Sequence, residues 1–388
     1  MIKSVLLLFV LLLIGCSSKH YSSESKISDT FTTFDINDKI DNEYYLQSDI
    51  CDSMRLVFLE TNENSLIHAP ISEIAASDNR YFLKDWYRGC GIIIFDKSGK
   101  FIKRIPQGQG PGEVFGVHGF CYDRFANHLL IVFNPYLYVF DENGEYIDSY
   151  KLPFPATSVM ATEDGYIFSK GPGHKSDIEN FDDYSLVITD KEFEIKGLNL
   201  KYATREPYGP SIKSDGNSIY ISIADNDTIY RWEDNKLCAT CSFDFSEHKM
   251  KCQDDNSSYT YEEMPDGFHY GGSFSETSTH QILSFTSKRG VCTLYRNKET
   301  NVVRGGLYSL SNTEREIVLG GIPIATYQDE FISYLMPQNY HKGYLKPELS
   351  ILTPEECERL EKMGDEDNPV LVLFKLKELE NVDSNEED

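Results

Sequence analysis

The stretch GIIIFDKSGKFIKRIPQGQGPGEV, residues 91–114, decides the fold. Its first half alternates apolar and polar residues around an Asp-Lys-Ser-Gly turn, which predicts a β-hairpin. Its second half is rich in glycine, as are loops that cradle phosphate. A dinucleotide-binding loop, however, follows a buried parallel strand and opens a helix, whereas here a second strand-like run, EVFGVHGFCYD, follows the glycines. Because Pro111 also removes a backbone donor, the pattern predicts a connection between strands.

The hairpin is repeated along the chain. The segment at 92–105, IIIFDKSGKFIKRI, recurs 45 residues later as LYVFDENGEYIDSY at 137–150. Looser copies follow at 186–198, 229–243 and 292–306. Another pair of short strands precedes each hairpin, and four strands in every 40–50 residues are typical of β-propeller blades. A β-sandwich, the alternative, would not repeat the same hairpin at a fixed period.

The repeats predict an all-β, six-bladed β-propeller. Five complete units lie near 71–105, 116–152, 156–200, 211–245 and 268–310. A last unit, at 321–335 and 368–377, supplies only three strands, and the unassigned strand MRLVFLET at 54–61 supplies a fourth. We therefore expect an N-terminal strand to close the ring, which leaves no open edge in that blade. The segment TPEECERLEKMG, 353–364, predicts a short helical insertion in the last blade.

The N-terminus has the features of a secretion signal. Lys3 precedes an unbroken apolar run at 5–14, which suits the hydrophobic region of a signal peptide and is too short to span a bilayer. The run ends in Leu-Ile-Gly-Cys, which resembles the lipobox of bacterial lipoproteins, so we expect a lipid anchor on Cys16. The predicted organisation is a signal peptide and lipobox at 1–16, a flexible tether at 17–30, a single propeller domain at 31–380 and an acidic tail at 381–388.

Charge and cysteine content exclude some functions. The formal net charge of −25 disfavours nucleic acid as a partner. Cys238 and Cys241 form a CxxC, but redox CxxC motifs begin a helix, and this one lies in a strand-like run whose residues i and i+3 point to opposite faces. No HxH, HExxH or calcium-loop spacing is present, so we predict neither a metal site nor a cofactor.

Taken together, the lipobox, the segment IFDKSGKFIKRIPQGQGPGE, the closing VFLET and GIPIATYQDEFISYL with DNPVLVLFKLK resemble the six-bladed propeller lipoproteins of Bacteroidetes, whose blades are similar to NHL repeats. The resemblance implies a fold and an outer-membrane location in the cell envelope, but no activity. Surface export in such proteins goes with acidic residues just after the lipidated Cys. Glu24 is the first acid here, which favours the periplasmic side over the cell surface.

Strand order selects the candidate binding residues. Loops between the second and third strands of each blade, together with the crossings between blades, gather on one face of a propeller at the mouth of the channel. Aromatic residues beside hydrogen-bonding neighbours can hold sugars or peptides. The predicted ligand-binding residues on these loops are Trp86, Tyr87, Arg88, His118, His174, Arg205, Tyr208 and His341. The turns at 96–99 and 141–144 are expected on the opposite face.

Two functions fit this pattern. The first is a binding or scaffold module, held to the membrane through Cys16, that captures an unidentified glycan, peptide or protein at the channel mouth. The alternative is a propeller enzyme, of lyase or lactonase type, with a His and acid metal site in the channel. No catalytic set can be named from the sequence, because no G-x-S-x-G or other nucleophile motif is present.

Overall fold

The computed structural model describes residues 25–40, 50–68, 70–85, 91–110, 112–202, 209–250, 266–309, 322–341 and 351–378. Within these ranges, 25 strands form six sheets, one per blade. Five sheets have four strands and one has five, and each blade packs on the next around a central channel. The prediction of an all-β, six-bladed propeller is confirmed.

Each blade is built on an antiparallel sheet whose first strand is the innermost one. The first three blades comprise β3 (Ile71–Ala76), β4 (Arg80–Asp85), β5 (Ile92–Asp96) and β6 (Phe101–Ile105); β7 (Gly119–Asp123), β8 (His128–Phe133), β9 (Tyr136–Asp141) and β10 (Tyr146–Lys151); and β11 (Ser158–Ala161), β12 (Gly165–Ser169), β13 (Tyr184–Asp190) and β14 (Ile195–Lys201). The last three comprise β15 (Ser211–Ser214), β16 (Ile219–Ile223), β17 (Asn226–Glu233) and β18 (Lys236–Asp244); β19 (His269–Glu276), β20 (His280–Ser287), β21 (Gly290–Asn297) and β22 (Val303–Ser309); and β23 (Ala325–Tyr327), β24 (Glu330–Leu335) and β25 (Val370–Leu376).

The sixth blade is completed by the N-terminal strand β2 (Cys51–Phe58). It pairs antiparallel with β25, with Leu56 opposite Val372 and Phe58 opposite Val370. The alternation of apolar residues in both strands fits this register, since Val57, Leu371 and Leu373 belong to one buried cluster between the sixth and first blades. Closure of the ring by both ends of the chain was predicted and is confirmed.

A further strand, β1 (Lys26–Asp35), was not predicted. It begins within the stretch 17–30 that we expected to be a tether, and it adds to the outer edge of the fourth blade. It runs parallel to β18, with Lys26 opposite Cys238 and Asp35 opposite Asp244. The guanidinium of Arg296 lies 3.6 Å from the centre of the Phe34 ring, so a cation–π contact links β1 to the fifth blade.

Three short helices interrupt the described strands: the 3₁₀-helix η1 (Phe181–Asp183), α1 (Pro337–His341) and α2 (Pro354–Lys362). Helix α2 is the predicted insertion in the last blade. It begins with a capping box in which Thr353 and Glu356 each bond the other's backbone N–H. No helix in the described part of the chain has the length and apolar character needed to cross a membrane.

The ring has two faces that differ in their connections. The turns between first and second strands and between third and fourth strands lie on one face, which we call the turn face. The loops between second and third strands and the connections between blades lie on the other, which we call the crossover face. Contacts between blades agree with this division, because Asn79 and Arg80 of the first turn in blade one donate to Glu142 and Asn143 in the last turn of blade two.

The fifth blade is set back from the channel. The backbone N–H of Gln328, in the sixth blade, donates to the carbonyl of Asp215 in the fourth blade at 3.3 Å. Thr326 also donates to the carbonyl of Ser214. The inner turns of the fourth and sixth blades therefore meet directly. Among the described residues of β19, only Ser273 lines the channel cavity.

Candidate functional site: the central channel

The channel encloses a cavity of about 1210 Å³, lined by the first strands of the blades and by turns on the turn face. First strands are sheet edges, so their free backbone N–H and C=O groups accompany the side chains that line the cavity. This gives the wall many hydrogen-bonding groups. The cavity is thus suited to a polar ligand.

The turn-face end of the cavity carries carboxylates, which we call the acidic rim: Asp78, Glu142, Glu163, Asp164 and Asp234. Three of them join neighbouring blades. Asp78 accepts from the Tyr327 hydroxyl at 2.6 Å, Glu142 accepts from Ser77, and Asp164 accepts from the Asn235 amide. These bonds hold the turns together while leaving negative charge around the opening.

Two opposite charges lie inside the channel. Glu73 is on β3 and Lys213 is on β15, so they belong to the first and fourth blades, which face each other across the ring. Glu73 remains 33% accessible, and its Oε2 lies 3.7 Å from Nζ of Lys84. No carboxylate among the described residues lies within ion-pair distance of Lys213. Its Nζ donates instead to the carbonyl of Phe274 at 3.1 Å and to Oγ of Ser275 at 3.4 Å.

Burial shifts the pKa of both groups toward their neutral forms. The pKa of Glu73 is raised by loss of solvent, an effect opposed by the Lys84 ammonium, a hydrogen bond from the Phe120 N–H and the charge of Lys213. Loss of solvent also lowers the pKa of Lys213 to about 8, against the opposing charge of Glu73. Shifted titratable groups in a cavity are typical of functional sites.

The predicted ligand-binding residues lie elsewhere or outside the described ranges. Trp86, Tyr87, Arg88, Arg205 and Tyr208 are outside the described residues, as is Cys16. His118, His174 and His341 lie in crossover-face segments, as strand order predicts, and none of the three lines the channel cavity. Ligand binding by these eight residues stays a prediction.

The three described histidines have separate surroundings. His118 packs its ring 4.6 Å from the Phe133 ring, and its carbonyl accepts from Lys84 at 2.6 Å. Burial lowers the pKa of its imidazole. Nδ1 of His174 accepts from the Gly171 N–H at 3.2 Å, and His341 pairs with Asp365. Lys84 thus connects the His118 segment to Glu73 in the channel.

The glycine-rich connection at 107–118 follows β6 and leads into β7, as predicted. The carboxylate of Glu113 folds back over the loop and accepts the N–H of Gly110 at 2.7 Å. A Cβ on Gly108 would stand 2.0 Å from Oε2 of Glu113, so a larger residue there would require the Glu113 side chain to move. The Glu113 carboxylate thus already accepts a backbone N–H of this loop.

Within the described ranges, no group of three or more His, Cys, Asp or Glu side chains is arranged to hold a metal ion. Cys238 and Cys241 are both free thiols on β18, the first partly exposed and the second buried.

Glu73 and Lys213 were missed in the sequence. Each sits in a short strand of mixed polarity, ISEIAA and SIKS, with no motif around it. Only the strand order, which makes β3 and β15 channel-lining strands, identifies them.

The closed ring of six antiparallel sheets defines the chain as a six-bladed β-propeller. Residues 31–375 match the family described as "Domain of unknown function (DUF4934)", and the chain belongs to this family. No curated protein matches the sequence.

Several solved structures resemble the chain. A putative exported protein from Bacteroides fragilis shares 18% identity with a TM-score of 0.71, over 89% of this chain and 99% of that one. A member of the duf4221 family from Bacteroides vulgatus shares 12% identity with a TM-score of 0.45, over 84% and 97%. A gluconolactonase from Xanthomonas campestris shares 13% identity with a TM-score of 0.40, over 87% and 97%. The first shows a shared fold, and the other two scores are too low to add to it.

Proposed function

We propose that the protein is a binding module of the cell envelope, anchored by a lipid on Cys16, whose ligand site is the central channel entered from the turn face. The observation that carries this proposal is the cavity of about 1210 Å³ with Glu73 and Lys213 on facing walls. Large concave sites with a few placed polar groups are the usual ligand sites of proteins. A rigid ring also suits binding, since it holds the lining groups without a cost of ordering on association.

The location rests on two supports. The apolar run at 5–14 and the lipobox-like Leu-Ile-Gly-Cys lie N-terminal to the domain, and the Bacteroides fragilis structure with the same fold is described as a putative exported protein. We place the anchor in the outer membrane, with the periplasmic side favoured over the cell surface. A soluble glycan, peptide or protein segment can reach the channel there.

The crossover face offers a second surface. The eight predicted residues from Trp86 to His341 would form it, and a larger partner such as a folded protein would use such a surface rather than the cavity. Variants on the two faces distinguish binding in the channel from binding on the crossover face.

The test is a thermal-shift screen of the purified protein against amino acids, peptides, monosaccharides and oligosaccharides. Asn217 lines the exposed mouth of the channel, so Asn217→Trp narrows the opening. Glu192→Trp places the same side chain on an exposed turn of the same face away from the cavity and is the matched control. We expect a stabilising compound to lose its effect in Asn217→Trp and keep it in Glu192→Trp.

Two results would contradict the channel as the site. One is a stabilising compound that acts equally on Asn217→Trp and the wild type. The other is a loss of binding in Trp86→Ala or Arg88→Ala with Asn217→Trp unaffected, which would assign the ligand to the crossover face.

A further inference from the structure

Backbone groups of neighbouring strands act on the charged side chains of both channel walls. The backbone N–H of Phe120 on β7 is among the groups that lower the pKa of Glu73 against the effect of burial. The ammonium of Lys213 donates to the backbone carbonyl of Phe274 on β19 at 3.1 Å. Neighbouring strands therefore place polar backbone groups beside both charges.

The two charges are incompletely compensated. Lys213 has neutral partners, a carbonyl and a hydroxyl, which use two of the three donors of an ammonium group. Glu73 shares its charge with Lys84 at 3.7 Å, longer than a direct hydrogen bond. A charged group that has lost part of its hydration is destabilised unless an opposite charge lies beside it. A ligand that places an opposite charge beside each group would relieve this cost at both ends.

The charge around the opening restricts the ligand further. The acidic rim outweighs the positive charge of Arg124, which lines the same end of the cavity. Together with the net charge of −25, it disfavours a ligand with net negative charge, such as phosphate or sulfate. The ammonium of Lys213 disfavours a ligand that carries only positive charge. A molecule with one charge of each sign and no net charge meets neither barrier.

We propose that the channel binds a small zwitterion, a free α-amino acid or a dipeptide, with its carboxylate at Lys213 and its ammonium group at Glu73. This inference rests on the proposed function, since it takes the channel as the site. A ligand ammonium beside Glu73 favours the ionised carboxylate. The exposed edges of the first strands supply hydrogen-bonding groups for the remaining polar atoms, including the amide of a dipeptide.

The experiment is isothermal titration calorimetry on the full-length protein purified in detergent. The probes are L-alanine, L-glutamine and glycylglycine, each compared with acetate and with methylammonium, which carry one of the two charges. We expect at least one zwitterion to bind and both single-charge probes to bind about tenfold or more weakly. This comparison needs no variant, so it does not depend on how a substitution affects folding.

Two channel variants then test which residue binds each charged group of the ligand. Lys213→Met and Glu73→Gln should each weaken the zwitterion about tenfold or more, while Lys196→Met, which removes an exposed lysine on β14, should leave it unchanged. The inference is overturned if none of the three zwitterions binds the wild type, or if binding survives in both channel variants. A neutral sugar that binds in the channel and is blocked by Asn217→Trp would overturn the zwitterion while leaving the channel as the site.

Discussion

The backbone N–H of Leu56 donates a 2.8 Å hydrogen bond to Oε1 of Glu356, a residue that lies 300 positions further along the chain. Leu56 is on β2, the outermost strand of the closing blade, and its N–H would otherwise face solvent at the sheet edge. Oε2 of the same carboxylate accepts the backbone N–H of Thr353 at 2.9 Å. One side chain thus caps helix α2 and covers the edge of the strand that closes the ring.

Glu356→Ala is expected to lower the free energy of unfolding by about 1–2 kcal/mol, because it removes the capping box and leaves the edge N–H of Leu56 without this partner. Chemical denaturation measures the change. Glu358→Ala is the matched control. Among the described residues, the side chain of Glu358 makes an exposed i,i+4 pair with Lys362, so its loss should change stability by about 0.5 kcal/mol or less. Equal losses in the two variants would contradict the role of Glu356.

The same carboxylate predicts a sensitivity to acid. Hydrogen bonds from Thr353 and Leu56 outweigh burial and lower the pKa of Glu356 below its ordinary value. Its contribution to stability is therefore present above the unfolded-state pKa and is lost as the pH falls through the lowered folded-state pKa. The difference in the free energy of unfolding between wild type and Glu356→Ala should shrink in that acid range. A difference that stays constant with pH would contradict a role for the ionised carboxylate.

Removing residues 369–388 should prevent the ring from folding, because β25 is the strand that joins β24 to β2. Loss of β25 breaks both pairings and opens the buried cluster between the sixth and first blades. Size-exclusion chromatography and the thermal transition report the outcome. Removal of 379–388 alone keeps β25 and is expected to leave both unchanged, and a cooperative, monomeric 1–368 protein would rule out closure as a requirement.

Lys170→Met is expected to stabilise the protein by about 1–3 kcal/mol at pH 7. Lys170 is fully buried, and no described residue accepts a hydrogen bond from its Nζ. It lies between the rings of Phe181 and Tyr202, at 4.6 and 4.8 Å from their centres. Those contacts offset only part of the cost of burying the charge, which is why methionine, similar in length and uncharged, is favoured.

The stability gained in Lys170→Met should depend on pH, because burial changes the pKa of Lys170. Burial lowers the pKa of Lys170 from 10.5 to about 8, although the charges of Asp182 and Asp183 oppose the shift. The unfolded chain therefore binds the proton more tightly between these values, and wild-type stability rises with pH there. The advantage of Lys170→Met should be largest below pH 8 and decline toward pH 10.5. Lys175→Met, an exposed neighbour, should behave as the wild type, and a destabilised Lys170→Met would refute the argument.

Cys16→Ala should release the protein from the membrane fraction or leave it unprocessed. The Leu-Ile-Gly-Cys end of the apolar run at 5–14 motivates this prediction. Fractionation and metabolic labelling with a fatty acid measure it. Cys238→Ala, in the propeller, serves as the cysteine control and should remain membrane-associated. Normal processing and membrane retention of Cys16→Ala would exclude the anchor.

Much of the fold was predictable because the blade hairpin is a local signal. The turns at 96–99 and 141–144 specify two strands each, and their repetition reveals the blades before any long-range contact is known. Closure was predictable for a related reason, since MRLVFLET was a strand without neighbours. By contrast, the sequence of β1, KISDTFTTFD, has little apolar alternation and an exposed surface, so its pairing depends on the free edge of β18.

The candidate site was less predictable. Glu73 and Lys213 are 140 positions apart in the sequence, and nothing local relates them. They share the channel only because the ring sets β3 opposite β15. The histidines stood out in the sequence because of their residue type, yet His341 pairs with Asp365 and His174 accepts a local backbone bond. Residue type alone does not distinguish a channel wall from a surface loop.

The start of β1 bears on how the molecule stands at a bilayer. Lys26 lies opposite Cys238, just beyond the turn at Asp234 and Asn235 that borders the cavity mouth. Nine residues, 17–25, separate Cys16 from β1, and an extended chain of that length reaches about 30 Å at most. A lipid on Cys16 would therefore keep the turn-face edge of the fourth blade within about 30 Å of the bilayer surface. The channel mouth, which lies on that face, would then stay close to the membrane to which the protein is anchored.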